Sequence, residues 1–173
     1  LVVVDFAAMP GAVTQVQQAF SGIDMLINNA GLSQRSFCVD TELDVYRTLL
    51  EVNVLGQIAL TKAVLPVMIS QGSGHIAVTA SVAGKVGAPM RTGYCAAKHA
   101  VMGFFDSLRT EVAYLGIQVS TIVPGFIRTN IARNALTATG EATAMEEADI
   151  EGGMDVNDCA RVVIQGLADG VKE

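Results

Sequence analysis

Ser81, Tyr94 and Lys98 are the residues of this chain whose types and spacing suit proton chemistry. They share the stretch SVAGKVGAPMRTGYCAAK, with Tyr94 thirteen positions after Ser81 and Lys98 four after Tyr94. If the residues after Gly93 are helical, positions i and i+4 lie on one face and the two side chains can meet. An ammonium beside a phenol favours phenolate, and the ordinary tyrosine pKa is about 10, so Lys98 is expected to move Tyr94 towards neutrality. Ser81 closes an apolar run whose tip opens on the same crevice, where its hydroxyl could hold a carbonyl oxygen.

A tyrosine and a lysine at this spacing also occur on many solvated helix faces, so the pair alone decides little. Three further stretches accompany it: Asn28-Asn29-Ala30-Gly31 after one apolar run, Asn53 inside Glu51-Val52-Asn53-Val54-Leu55-Gly56, and Pro124-Gly125-Phe126-Ile127-Arg128-Thr129 after another. At these residues, in this order and over nearly the whole chain, the sequence resembles the short-chain dehydrogenase/reductase family. The resemblance implies an oxidoreductase that moves a hydride between NAD or NADP and a small-molecule alcohol or ketone. It gives Tyr94 the role of general acid/base, Lys98 that of holding the cofactor ribose and favouring phenolate, and Ser81 that of fixing the carbonyl. Asn53 would mark a helix irregularity whose freed carbonyl holds a water linked to Lys98. Cofactor contacts are implied at Asp5, at Asn28, Asn29, Ala30 and Gly31, at Tyr94 and Lys98, and at Pro124, Gly125, Ile127 and Thr129. Asp5 can also be read as a loop-start aspartate capping its own backbone.

The elements that must position these residues follow from periodicity. Leu1 to Val4 is a β-branched run that reads as a buried strand. Pro10-Gly11 leads into a helix over Ala12 to Ser21 with Gly22 as its stop, and Asp24 to Asn28 is the next strand. Thr41-x-x-Asp44 suggests a capping box opening a helix to Ser70, with bends at Gly56 and Pro66. His75 to Ala80 and Ile117 to Val123 read as strands, and Gly93 to Leu115 as a helix ended by Gly116. Along that helix Tyr94, Ala97, Val101, Phe105, Leu108 and Val112 form one apolar stripe. Its opposite face carries Ala96, Ala100, Gly103, Ser107 and Thr110, small enough for a second helix to approach. The resemblance implies pairing there into a homodimer or homotetramer. Residues 130–153 are polar and acidic and are expected to be mobile over a substrate, with Ile131, Leu136 and Met145 supplying an apolar lining. Asp155 caps a last helix, Val156 to Ala168.

Strands alternating with helices predict an α/β fold, a Rossmann-like doubly wound parallel sheet with helices on both faces. Such a sheet normally begins with a glycine-rich turn at a helix amino end, which holds a pyrophosphate, and no such turn is present. Residues 1–173 are therefore expected to form a single partial dinucleotide-binding and catalytic domain, incomplete at its N-terminus. The segment that would choose between NAD and NADP is absent with it.

Composition narrows the classes. A hydrophobic content of 51%, a charged content of 16% and a net charge of −6 fit a well-buried domain and argue against a nucleic-acid partner. The most apolar stretch, Ile58 to Ile69, is interrupted by Lys62 and Pro66, so no membrane span is expected. The start Leu1-Val2-Val3-Val4 lacks the flank of a signal peptide, which points to the cytoplasm. Cys38, Cys95 and Cys159 fit no metal spacing and read as reduced thiols, and two histidines are too few for a metal cluster. Two other readings stay open: a non-catalytic dimerisation or binding module of the same fold, and a sugar-nucleotide epimerase or dehydratase, whose family also carries Y-x-x-x-K.

Overall fold

Three strands, β1 (Met25–Asn28), β2 (Gly74–Thr79) and β3 (Ile117–Ile122), lie parallel in the order β1-β2-β3 in the computed structural model, which describes residues 2–173. Ile76 pairs with Leu26 on one side and Val119 on the other, and Val78 with Asn28 and Thr121, so these six residues share one face. Against that face pack α3 (Gly56–Gln71) and α4 (Thr92–Val112). The core joins Ile76, Val78 and Val119 to Val64 and Met68 of α3 and to Val101, Phe105 and Val112 of α4. The stripe expected on α4 is thus its buried face, with Ala97 and Phe105 both fully buried. The other sheet face is more open, with Met25 44% and Ile27 49% exposed.

The expected first strand does not form. Leu1 lies outside the described residues, and Val3 and Val4 enter a turn closed by the Asp5 amide donating to the Val2 carbonyl at 2.9 Å. An extended segment needs a neighbour for its peptide groups, and among the described residues no strand lies beside the free edge of β1. α1 (Met9–Phe20) begins earlier than expected, because a proline in the first turn gives up only an amide that would be unpaired anyway. Ser21, with φ of 64°, closes it in place of Gly22. The Gln71 side chain instead occupies the space above Gly22, accepting from the Ile23 amide at 2.9 Å and donating to the Ile23 carbonyl at 3.0 Å.

The long central helix is divided into α2 (Leu43–Leu50), a π-helical turn over Glu51–Leu55, and α3. Thr41 does not cap it, since its hydroxyl turns back to the Phe37 carbonyl at 2.7 Å and Glu42 takes the cap position. Pro66 is accommodated inside α3, which continues to Gln71 and closes on Gly72 with φ of 70°. By length and composition alone the helical run Leu43–Gln71 is long and apolar enough to cross a bilayer, with a mean hydropathy of 1.6 over an 18-residue window. Here its residues Val45, Leu49, Val64 and Met68 are buried in the protein. Two short helices complete the chain, α5 (Ala148–Glu151) and α6 (Val156–Ala168), the latter capped by Asp155, which accepts from the Asn157 amide at 2.9 Å. Beyond α6 the chain reaches the edge of β3, where the Thr121 amide donates to the Lys172 carbonyl at 2.9 Å.

Candidate active site

The carboxyl ends of the three parallel strands point the same way, and the loops leaving them enclose the candidate site. In open α/β sheets this is the end where ligands bind. β1 delivers Asn28 and Asn29 with different tasks. Asn28 is buried and donates to Thr61 Oγ1 on α3 at 2.9 Å, tying strand to helix. Asn29 accepts from Thr79 Oγ1 at 2.9 Å, tying the end of β1 to the end of β2.

Asn53 explains the π-helical turn. It is fully buried, and its side chain accepts from the Leu32 amide and donates to the Leu32 carbonyl, both at 3.0 Å. Its amide also donates to the Leu49 carbonyl at 3.0 Å, while the Gly56 amide reaches five residues back to Glu51. A side chain that replaces helix bonds with bonds to a loop holds such a bulge open, and bulges of this kind recur at functional sites. Gly31 lies directly under it. A Cβ there would stand 2.8 Å from Asn53 Oδ1 and 3.6 Å from Lys98 Nζ, so the Asn28–Gly31 turn, Asn53 and Lys98 meet at one point.

α4 brings Tyr94 and Lys98 to the same place by one helical turn. Lys98 is buried, donates to the Thr79 carbonyl at 2.7 Å, and sits 5.8 Å from the centre of the Tyr94 ring. Burial lowers its pKa to about 8. The expected push of Tyr94 towards neutrality is not found. Burial holds the phenol above its ordinary value, a hydrogen bond with Ser81 and the charge of Arg91 pull it part of the way back, and Cys95 raises it. The correction has a simple cause: the same burial disfavours both charged forms, ammonium and phenolate. Ser81, extended at the end of β2, also accepts from the Ala83 amide at 3.1 Å.

The remaining expected contacts are more dispersed. Asp5 is exposed and accepts from the Ala8 amide at 3.2 Å, capping a short 3₁₀ turn, which is the local role the sequence also allowed. Pro124 accepts from the Val82 amide at 3.1 Å and so joins the loop after β3 to that after Ser81. Gly125 is exposed, Ile127 bridges to Met154, and Thr129 borders a cleft of about 340 Å³ with Arg128, Arg133 and Glu147.

Ile131, Leu136 and Met145, expected to line the site, do not line this cleft. Ala132, Ala135 and Leu136 are buried, and Leu136 packs on Val45 and Leu49, so it belongs to the core and does not line the cleft. Met145 is 56% exposed. Arg128, Thr129, Asn130, Arg133, Glu146, Glu147 and Glu151 line the cleft beside Ala132 and Ile150. Arg35, which had no role in sequence, donates to Glu147 at 2.7 Å, and Arg91 pairs with the other oxygen of the same carboxylate.

Three participants were invisible in sequence. Gln34, fully buried, accepts from the Gly93 amide at 2.7 Å and so fixes the start of α4. Arg91, the N-cap residue of α4, donates to Ser33 Oγ and the Gln34 carbonyl and pairs with Glu147. Gln57 donates to the Ala30 carbonyl at 2.9 Å, and its Oε1 is buried with no hydrogen-bond partner among the described residues, beside a cavity of about 160 Å³ that Ile27, Asn28, Asn29 and Ala30 also line. An orphaned buried acceptor beside this turn and cavity fits a ligand that carries hydrogen-bond donors.

Comparison with known proteins agrees with this fold. The family described as short chain dehydrogenase matches residues 2–158. The human dehydrogenase/reductase SDR family member 7 is 45% identical over 170 residues, which are 98% of this chain and 50% of that protein. A short chain dehydrogenase/reductase from Burkholderia phymatum, solved in complex with NAD, superposes with a TM-score of 0.85 at 25% identity, covering 98% of this chain and 66% of that one. A gluconate 5-dehydrogenase from Burkholderia cenocepacia, solved with NADP and tartrate, gives 0.82 at 25% identity over 95% and 65%. The chain thus spans about half the length of the relatives it matches in sequence.

Proposed function

The chain belongs to the short-chain dehydrogenase/reductase family, and on that footing we propose that its protein interconverts an alcohol and a carbonyl compound with a nicotinamide cofactor, Tyr94 carrying the proton. The observation that carries this reading is the convergence of Gly31, Asn53 and Lys98, where a Cβ on Gly31 would stand 2.8 Å from Asn53 Oδ1 and 3.6 Å from Lys98 Nζ, with Tyr94 and Ser81 beside them. NAD or NADP, which the two similar solved structures hold, would accept or supply the hydride. The turn Asn28–Gly31, the free Gln57 Oε1 and Lys98 are the residues here that would hold it.

The chain's own residues then divide the work. With its pKa held up by burial, Tyr94 is a protonated phenol at pH 7 and serves the reduction direction as a proton donor at Oη. Ser81 holds the substrate oxygen near that proton. Lys98, with a pKa of about 8, is mostly charged at pH 7 and stands ready to stabilise phenolate once the proton has left. Asn53 orients the loop at Leu32 and so fixes the wall of the site. A positioned acid/base of this kind contributes about 10²- to 10⁴-fold in rate.

The test is oxidation of a panel of alcohols, followed by cofactor absorbance, in the parent and in Tyr94→Phe. Loss of turnover with cofactor affinity retained supports the assignment, and normal turnover in Tyr94→Phe overturns it. The open edge of β1 and the exposed Met25 and Ile27 favour a second reading, a binding module of this fold. Saturable binding of NAD or NADP to the chain would exclude it.

A further inference from the structure

α4 begins without a cap from its own flank. The first amides of an α-helix have no partner inside it, and Arg91, at the N-cap position, carries a guanidinium that can only donate. The acceptor comes from Gln34, 59 positions away, whose Oε1 takes the buried Gly93 amide at 2.7 Å. Gln34 is itself fully buried and is held from its other side, its Nε2 donating to Ser36 Oγ at 3.1 Å and to Thr41 Oγ1 at 3.2 Å. Arg91 tightens the same junction, its Nη1 donating to Ser33 Oγ at 2.9 Å and to the Gln34 carbonyl at 3.0 Å.

Gly93 fits this contact. A Cβ there would stand 3.0 Å from Gln34 Oε1 and 2.8 Å from Leu49 Cδ1 and from Tyr46 Cδ1, so a poor helix former occupies the first turn of α4 where Gln34 must come close. Tyr94 is the next residue, and Lys98, one turn further on, is tied to the Thr79 carbonyl. The loop that carries Gln34 is fixed at its start as well, because Asn53 bonds both main-chain groups of Leu32. Asn53, the loop from Leu32 to Gln34 and the start of α4 are thereby joined in one continuous path.

We propose that Gln34 is a positioning residue for Tyr94: by capping α4 through the Gly93 amide it sets where the helix begins, and hence where the phenol stands relative to Ser81 and Asn53. The proposal rests on the reading of Tyr94 as the proton carrier. Misplacing a reacting group by about 1 Å can cost about 100-fold in rate. The cap should therefore show in kcat and not in cofactor affinity.

Positioning and mere structural support are told apart by which partner of Gln34 is removed. Gln34→Met keeps the volume and withdraws the acceptor, leaving a buried amide unpaired. Gln34→Glu keeps an acceptor in place, and the Ser36 and Thr41 hydroxyls can turn to donate to it. Thr41→Val cuts the far side of the network and leaves the bond to Gly93. In the protein, kcat for alcohol oxidation should fall about 10- to 100-fold in Gln34→Met with cofactor Kd unchanged, and should recover in Gln34→Glu. Thr41→Val should lower the urea midpoint and leave kcat at the parent's value. A kcat that follows the urea midpoint across all three variants, or an unchanged kcat in Gln34→Met, overturns the proposal.

Hydrogen exchange supplies a second measurement that needs no turnover. A peptide spanning 91–97 should exchange faster in Gln34→Met and at the parent's rate in Gln34→Glu, and unchanged exchange in Gln34→Met also overturns the proposal. Should Gln34→Met not fold, Gln34→Asn, one methylene shorter, withdraws the acceptor and makes the same comparison. An active Tyr94→Phe variant would sink the proton-carrier reading and the positioning role with it, while the exchange pattern still reported the cap. An inactive Tyr94→Phe beside a fully active Gln34→Met would sink only the positioning role.

Discussion

The ammonium of Lys98 donates to the main-chain carbonyl of Thr79 at 2.7 Å, so the last residue of β2 holds the one lysine buried in α4. The bond aims the side chain across the crevice and under the Tyr94 ring. It also places a cation where solvent cannot stabilise it, and the protein's behaviour with pH should show this.

Lys98 titrates at about 8 in the fold against 10.5 ordinarily. Between these values the unfolded chain binds the proton and the folded chain has lost it, so this residue makes stability rise with pH across that window. Below pH 8 the full penalty applies, at most about 3 kcal/mol and less after the bond to Thr79 is counted. Lys98→Met should therefore be inactive yet more resistant to urea than the parent at pH 7, with the advantage shrinking as the pH rises towards 10.5. Urea midpoints at pH 7 and pH 10 measure it; an advantage that grows with pH contradicts the assignment.

Asn53→Leu removes three side-chain bonds and leaves the Leu32 amide without its partner. The expected loss is about 3 kcal/mol. Because the bonds fix the loop after Gly31, cofactor affinity should fall in parallel. Equilibrium unfolding and cofactor titration on the same preparation test this, and an unchanged stability would show that the π-helical turn does not depend on Asn53.

Gly31→Ala probes the same point from the opposite side. Its new methyl would sit 2.8 Å from Asn53 Oδ1, and Asn53 cannot retreat because its amide is engaged twice over. Overpacking of this kind costs about 1–3 kcal/mol. Thermal unfolding measures it, and the double variant Gly31→Ala with Asn53→Ala should cost less than the sum of the singles.

The exposed face of α4 offers a clean test of assembly. Nothing lies within 4 Å of a Cβ built at Gly103, so Gly103→Arg should leave the fold of one chain intact. If Ala96, Ala100, Gly103 and Ser107 pair with a second copy, the arginine separates the copies. Sedimentation velocity should show a smaller species for the variant than for the parent, and equal sedimentation would place any contact elsewhere.

Chemical type and spacing along the chain sufficed for the core of the site. Tyr94 and Lys98 are one helical turn apart, the buried stripe of α4 has the helical period, and Asn53 is a poor helix residue at the position where the helix becomes irregular. These are local relations, and local geometry is written in neighbouring residues. Where a partner was needed, the sequence was silent or misleading. Val2 to Val4 have the composition of a strand, and yet among the described residues they form none, because a strand is made by its neighbour. Thr41 has the pattern of a cap but its hydroxyl bonds elsewhere.

The charges show the same division. Lys98 beside Tyr94 was legible from the i, i+4 spacing, and it suggested a lowered phenol pKa. Only the packed structure reveals that both groups are buried and that burial raises the phenol. Arg35, Arg91 and Glu147 are separated by up to 112 positions, and no periodicity links them. The residue types and helical phase of Tyr94 and Lys98 were determined by the sequence itself; the tertiary structure decided their dielectric surroundings and their distant partners, since burial and long-range pairing exist only once the chain has closed on itself.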